Sequence, residues 1–166
     1  RVPTGADAPV SGPPESAPQS RKAVFGGHVL VAEDVGANRL FIQLALHRLG
    51  LETTVAENGR IALEAFASKG PFDCVFMDMR MPEMDGEEAT LAIRQFEASR
   101  NLRRCPIIAI TANAYAEDRE TCFRSGMDDF LAKPVNLSDL RSILERWLPS
   151  GAGDSRSPQA ALVPPR

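Results

Sequence analysis

The chain has 166 residues, of which 43% are hydrophobic, and its formal net charge at pH 7 is -3. This length accommodates one ordinary domain with flanking segments, and the hydrophobic fraction is sufficient for its core. A small net negative charge provides no positive electrostatic potential that would attract the phosphates of nucleic acid. Direct nucleic-acid binding is therefore not among the expected functions.

Segments rich in Pro, Ala, Ser and Gly lie at both ends of the chain. Residues 1–26 and 150–166 show no periodic hydrophobicity, and such segments cannot bury enough apolar surface to offset the entropy of ordering. We expect a disordered linker over 1–26, a domain over 27–149, and a second linker or tail over 150–166. The start at Arg1 in place of Met suggests a piece of a longer chain.

The first half of the predicted domain contains three apolar runs of strand length. The first covers residues 28–32, and apolar residues then recur at helical spacing until Gly50. A second strand is predicted over 53–56, followed by a helix that ends before Gly70-Pro71. The third strand covers 74–77. This alternation is typical of units in which a helix connects two strands.

The same alternation continues in the second half. A helix is predicted over 87–99, a strand over 107–110, a shorter helix over 115–124, a strand over 129–132, and a last helix that Pro149 ends. Five strands separated by helices require parallel pairing and right-handed crossovers, with helices on both faces of the sheet. The expected fold class is therefore α/β, a doubly wound, flavodoxin-like sandwich of five parallel strands in the order 2-1-3-4-5.

The membrane and redox context also follow from composition. No apolar stretch approaches the roughly 20 residues that a membrane-spanning helix needs. Three cysteines form an odd count without metal-like spacing, which favours a reducing setting. We expect this segment to be cytoplasmic and to make no membrane contact, while a membrane anchor elsewhere in a longer parent chain remains open.

Polar side chains follow four of the predicted strands at the point where each strand ends. They are Glu33-Asp34, Asp78, Thr111 and Lys133. In an open parallel sheet, the ligand site lies at the carboxyl ends of the strands. Taken singly, each of these residues also has an ordinary explanation as a cap, turn, strand or surface residue. Their joint placement is what predicts a functional site.

The chemistry of this set favours a hard metal ion. Three carboxylates crowded together repel one another unless a cation intervenes. Without His or Cys ligands, an all-oxygen set favours Mg²⁺, with Mn²⁺ as an alternative. A metal beside a carboxylate, a hydroxyl and an ammonium is typical of phosphoryl transfer, in which Asp78 would be the nucleophile.

These residues and their sequence context resemble the response-regulator receiver domain of two-component signalling. The matching stretches are Glu33-Asp34, Met77-Asp78 to Asp85-Gly86, Thr111-Ala112 and Lys133-Pro134. The amino-acid sequence of residues 111–114 and 130–135 is most similar to that of receivers of hybrid sensor histidine kinases. The resemblance implies a domain that switches its partner interactions when it is phosphorylated.

The resemblance also implies a role for each site residue. Asp78 would accept a phosphoryl group from the phosphohistidine of a histidine kinase or histidine phosphotransfer protein. Mg²⁺ would be held by Asp34, Asp78 and the backbone carbonyl of Arg80, with Glu33 acting mostly through water. The phosphoryl oxygens would be bound by Thr111, the Ala112 amide and Lys133, with a cis bond between Lys133 and Pro134.

A switch is implied as well. Thr111 would move toward the phosphoryl group and vacate space into which Phe130 turns, which repacks the surface of strands four and five and the last two helices. Phe130 as an ordinary core residue is an equally good interpretation. By resemblance, the domain catalyses its own phosphotransfer and autodephosphorylation but acts mainly as a signalling switch. Whether the parent chain is a histidine kinase remains open.

Other readings of the same residues lead to different functions. An aspartate-nucleophile phosphatase expects a second Asp two residues after the nucleophile, where this chain has Arg80. A flavodoxin-like cofactor binder needs a phosphate loop after the first strand, where Glu33-Asp34 would repel phosphate. A receiver-like module that acts by contact alone, without phosphorylation, is the remaining alternative. The cognate kinase, the stimulus, the output and the phosphoryl lifetime are not predictable from these residues.

Overall fold

The predicted alternation of strands and helices is present in the computed structural model, which describes residues 25–113 and 115–148. The strands are β1 (His28–Ala32), β2 (Glu52–Ala56), β3 (Cys74–Asp78), β4 (Ile107–Thr111) and β5 (Asp129–Ala132). The helices are α1 (Gly36–Arg48), α2 (Gly59–Lys69), α3 (Gly86–Ser99), α4 (Ala116–Arg124) and α5 (Leu137–Trp147). The strands pair in parallel in the order β2-β1-β3-β4-β5, which confirms the predicted fold class and strand order.

The two sheet faces have separate apolar cores. Alternate strand residues point to opposite faces, so Val29 and Val31 lie in one core and Leu30 and Ala32 in the other. The first core also contains buried residues of α1 and α5, and the second contains buried residues of α2, α3 and α4. Every residue of β3 and β4 is buried, as expected for central strands covered by helices on both faces.

Three strand boundaries differ from the sequence prediction by one residue. Strand β2 begins at Glu52, β3 extends to Asp78, and β4 extends to Thr111. The ladder continues because Asp78 is paired with Ile110 and Thr111 with Ala132. The two polar residues expected just beyond their strands are therefore held as the last residues of β3 and β4.

Two residues of the predicted first linker, Phe25 and Gly26, are among the described residues. The Phe25 side chain is 3% exposed and packs in the core beside α1 and α5. Its backbone N–H donates to the Leu49 carbonyl at 2.9 Å. The remainder of the first predicted linker, residues 1–24, and the whole of the second, residues 150–166, lie outside the described residues, so the disorder expected of both linkers stays a prediction. Among the described residues, no helix is long and apolar enough to cross a membrane.

Candidate functional site

The carboxyl ends of β1, β3 and β5 bring an ammonium against two buried carboxylates. Glu33 directly follows β1 and is 0% exposed, while Asp78 ends β3 and is 1% exposed. Lys133 directly follows β5, and its Nζ lies 2.9 Å from Asp78 Oδ2 and 3.3 Å from Glu33 Oε2. The sheet order explains this meeting, because β1 and β4 are both neighbours of β3 and β5 lies next to β4.

Asp34 completes a set of carboxylates that fits a metal ion. One oxygen from each of Glu33, Asp34 and Asp78 lies within 4.8 Å of the other two. Glu33 Oε2 is buried and has no hydrogen-bond partner among the described residues, although it is in ionic contact with Lys133. A buried acceptor without a donor is costly, and an oxygen-only set with an excess of negative charge is what Mg²⁺ prefers. The residues present therefore fit the predicted ion.

The electrostatics of the site follow from its burial. Burial raises the pKa of Glu33, and the nearby charge of Asp78 raises it further, while the Val35 N–H and Lys133 act in the opposite direction. For Lys133, burial alone would lower the pKa, but the hydrogen bond and charge of Asp78 together with the charge of Glu33 outweigh it and raise the pKa above 10.5. Lys133 is therefore a permanent cation of the site at neutral pH.

The turn from β3 to α3 holds the Asp78 carboxylate from its other side. The Arg80 N–H donates to Asp78 Oδ1 at 3.1 Å, so the two carboxylate oxygens accept from Arg80 and from Lys133 respectively. Gly86 is needed for the turn because a Cβ there would lie 2.3 Å from the Asp78 carbonyl oxygen. The N-cap of α3 is Asp85, which forms a capping box with Glu88 and ends the turn.

Thr111 lies at the predicted strand end, but its hydroxyl is bonded to the following loop. Thr111 Oγ1 donates to the Asn113 carbonyl at 2.9 Å and accepts from the Asn113 N–H at 3.1 Å. Ala112 lines a groove next to Glu33 and Lys133. The structure thus places Thr111 and Ala112 at the predicted edge, with the Thr111 hydroxyl turned to the loop and not hydrogen-bonded to Asp78.

Phe130, the other predicted switch residue, is half-buried on β5. The Arg119 guanidinium of α4 lies over its ring, 4.8 Å from the centroid, a distance suited to a cation–π interaction. The Lys133–Pro134 peptide bond is cis, as the resemblance implied. A second cis bond, Gly70–Pro71, was not predicted.

One residue that contacts the acidic pair was missed in the sequence. Arg39 of α1 donates from Nη1 to the Glu33 carbonyl at 2.8 Å. The only signal for it in the sequence is a cation in the helical segment that follows Glu33-Asp34, and arginines on helices are mostly solvated. The backbone carbonyl of Arg80, by contrast, stays a predicted ligand.

The chain matches the family model described as the response regulator receiver domain over residues 29–145, well over half of its length. It is 39% identical over 132 residues to the sensor histidine kinase GacS of Pseudomonas protegens, which covers 80% of this chain and 14% of that protein. It is 34% identical over 143 residues to hybrid signal transduction histidine kinase A of Dictyostelium discoideum, covering 86% of this chain and 6% of that protein. The chain thus spans a small part of these relatives.

Two solved structures are similar as well. One is the receiver domain of a sensor histidine kinase from Pseudomonas aeruginosa with a magnesium ion coordinated in the active site cleft, at 42% identity and a TM-score of 0.65, covering 74% of this chain and 97% of that one. The other is a complex from Saccharomyces cerevisiae of a histidine phosphotransfer protein and the receiver domain of its downstream response regulator. That match has 29% identity and a TM-score of 0.72, covering 76% of this chain and 91% of the other. Sequence, fold and comparisons agree that the chain belongs to the response regulator receiver domain family of two-component signalling.

Proposed function

We propose that Asp78 is the phosphoacceptor of a two-component phosphorelay and that its donor is the phosphohistidine of a histidine kinase or histidine phosphotransfer protein. The observation that carries this proposal is the pairing of Asp78 Oδ2 with Lys133 Nζ at 2.9 Å beside two further carboxylates. A buried nucleophile that faces a fixed cation is suited to a group carrying negative charge.

The reaction is a displacement at phosphorus. A carboxylate oxygen of Asp78 forms the new O–P bond as the N–P bond of the phosphohistidine breaks, and the imidazole leaves with the electron pair. Lys133 neutralises charge on the transferred oxygens, and the Ala112 amide and the Thr111 hydroxyl are proposed to bind them. The product is an acyl phosphate on Asp78, and its hydrolysis returns the free carboxylate.

Mg²⁺ would be held by Glu33, Asp34 and Asp78, with the Arg80 carbonyl as a further proposed ligand and Mn²⁺ as a proposed substitute. When bound, the ion neutralises negative charge on the phosphoryl oxygens. Support comes from the fit of the three carboxylates and from the magnesium-bound receiver of the Pseudomonas aeruginosa kinase. The complex from Saccharomyces cerevisiae supports a histidine phosphotransfer protein as one class of donor.

The proposed switch starts from the two bonds that Thr111 makes with Asn113. To donate to a phosphoryl oxygen, the Thr111 hydroxyl must give up its bond to the Asn113 carbonyl, since its one proton is donated there. Phe130 would then turn into the vacated space and leave the Arg119 guanidinium. The exposed surface of α4, β5 and α5 would change as a result. We propose that partner proteins in the cytoplasm bind this surface differently before and after phosphorylation. The hybrid-kinase relatives support a parent chain of that class.

Phosphorylation by a small donor tests the proposal. The protein is incubated with Mg²⁺ and acetyl phosphate, and its intact mass is followed over time. We expect one labile phosphoryl group, which is absent from Asp78→Asn and from a sample containing EDTA. Asp73→Asn is a matched control, because Asp73 is exposed and precedes β3 at the opposite edge of the sheet, where it accepts from the His28 N–H.

The outcomes separate the alternatives. A label that survives Asp78→Asn would show that another residue is the phosphoacceptor. Sustained hydrolysis of p-nitrophenyl phosphate would favour an aspartate-nucleophile phosphatase. A wild-type protein that never takes up the label would favour a module that acts by contact alone.

A further inference from the structure

We propose that Arg39 is a positioning residue for the metal site: its guanidinium holds the backbone of the acidic pair Glu33-Asp34 in the conformation that binds the ion. This inference rests on the proposed function, because it concerns the same carboxylates. Arg39 contacts no reacting atom and acts only through the segment that connects β1 to α1.

The geometry of the Arg39 guanidinium supports this role. Nη1 donates to the Glu33 carbonyl at 2.8 Å and lies 3.4 Å from the Asp34 carbonyl. The Arg39 N–H also donates to the Val35 carbonyl at 2.9 Å, as part of the first turn of α1. One residue of the helix is therefore bonded to the backbone of both acids and of the residue that follows them.

Few other contacts hold Asp34 and the start of α1 in place. Val35 is the N-cap residue of α1 and provides no side-chain cap, and the first turn contains no acidic residue. Asp34 is exposed, so packing contributes little to its position. Glu33 is better held, because its N–H donates to the Ala56 carbonyl and its Oε1 accepts from the Val35 N–H. Arg39 supplies the contact that extends this order to Asp34.

The sign of the effect on metal affinity separates positioning from charge. Arg39 is a cation near a site that binds a cation, so charge alone predicts that its removal leaves Mg²⁺ affinity unchanged or increases it. Positioning predicts the opposite, since residues that orient metal ligands typically contribute tenfold or more to affinity. A decrease in affinity after removal of the positive charge therefore cannot come from electrostatics.

The variants are Arg39→Gln, which keeps a good helix former without the charge, and Arg39→Lys, which keeps the charge and one donor group. Arg48→Gln is the matched control, because Arg48 is an exposed arginine in the last turn of the same helix. Mg²⁺ affinity is measured by titration of backbone amide NMR shifts. Exchange of the Glu33 and Val35 amide protons is measured in the metal-free proteins, and thermal unfolding confirms that each variant is folded.

We expect Arg39→Gln to bind Mg²⁺ about tenfold more weakly than wild type, Arg39→Lys to lie between them, and Arg48→Gln to bind at least as tightly as wild type. In the metal-free proteins, the Glu33 and Val35 amides should exchange faster in Arg39→Gln than in wild type and Arg48→Gln, with Arg39→Lys between these limits. Unchanged or tighter Mg²⁺ binding by Arg39→Gln would overturn the proposal while leaving the proposed function intact.

Failure of the proposed function gives a different pattern. If wild type neither binds Mg²⁺ nor takes up a phosphoryl group, the site assignment is wrong whatever Arg39 does. Amide exchange in the metal-free proteins then decides the positioning role alone, and equal rates in wild type and Arg39→Gln would refute it. If Arg39→Gln does not fold, the same comparisons are made with Arg39→Lys, for which wild-type affinity and exchange would overturn the proposal.

Discussion

Replacing Lys133 with Met would leave two buried carboxylates without their cation. The Asp78 side chain is 2% exposed and that of Glu33 is 0% exposed, whereas that of Lys133 is 25% exposed. Removal of one partner from a fully buried ion pair costs about 3–5 kcal/mol. Because Lys133 retains some contact with solvent, we expect Lys133→Met to lose about 2–3 kcal/mol of unfolding free energy without metal.

The loss should depend on Mg²⁺ and on pH. Mg²⁺ at ten times its dissociation constant stabilises a folded protein by about 1.4 kcal/mol, and the variant should bind it more tightly than wild type because the competing ammonium is gone. Lys133 holds down the raised pKa of Glu33, so its removal raises that pKa further. A carboxyl whose folded pKa is raised contributes stability at low pH that is lost as pH rises through the folded pKa. Both proteins lose this stability as pH rises above 4.5, the ordinary pKa of Glu33, but the loss continues to a higher pH in the variant. The deficit should therefore grow as pH rises above the raised folded pKa that Glu33 has in the wild type.

Urea unfolding followed by circular dichroism, with and without Mg²⁺ and across this pH range, measures these effects. In thermal unfolding, the expected loss corresponds to about 10 °C for a domain of this size. Lys69→Met is the control, because Lys69 is exposed in the last turn of α2 and its replacement should change stability by less than about 0.5 kcal/mol. Equal unfolding free energies of the two variants would refute the proposed role of Lys133 as the cation of the buried carboxylates. A loss of stability in Lys133→Met that is independent of both Mg²⁺ and pH would refute it as well.

Three further predictions concern packing and burial in the domain. Gly86→Ala should lower the unfolding free energy, measured in urea, by about 1–3 kcal/mol, because its Cβ would lie 2.3 Å from the Asp78 carbonyl oxygen. Gly26→Ala is the control and should leave stability unchanged, because a Cβ at Gly26 would have nothing within 4 Å. The unfolding free energy of Thr90→Val should equal that of wild type or exceed it by up to about 1 kcal/mol, since the buried Thr90 hydroxyl has no partner among the described residues. A loss of more than about 1 kcal/mol would show that the hydroxyl has a hydrogen-bond partner. All three cysteines are buried, and burial raises the pKa of Cys105 to about 12. The thiols of the native protein should therefore react with a disulfide reagent only as the protein unfolds. Rapid labelling of the native protein at pH 8 would contradict this burial.

The order of elements was predictable because it depends on local pattern. Continuous apolar runs of strand length alternate with helical spacing, and only a parallel sheet with crossover helices accommodates that alternation. The placement of Asp78 and Lys133 at the carboxyl ends of the strands followed from the same pattern, because parallel strands all present their carboxyl ends at one edge. The resemblance then assigned roles to these residues.

Boundaries were less predictable because they depend on neighbouring strands. Asp78 and Thr111 have ordinary polar side chains that the sequence places just beyond an apolar run. They belong to their strands because Ile110 and Ala132 lie opposite them in the sheet. That pairing joins segments far apart in the chain, so no local pattern contains it.

Burial and contact geometry came from the tertiary structure alone. Glu33 and Asp34 are adjacent in the chain, yet Glu33 is 0% exposed and Asp34 is exposed. Likewise, two arginines on helices have different environments, since Arg39 is bonded to the acidic segment while Arg48 is exposed at the other end of α1. The sequence by itself determined the fold class and which residues stand at the sheet edge. Which of them are buried, paired with a cation or held by an arginine depends on distances between segments that only the folded chain brings together.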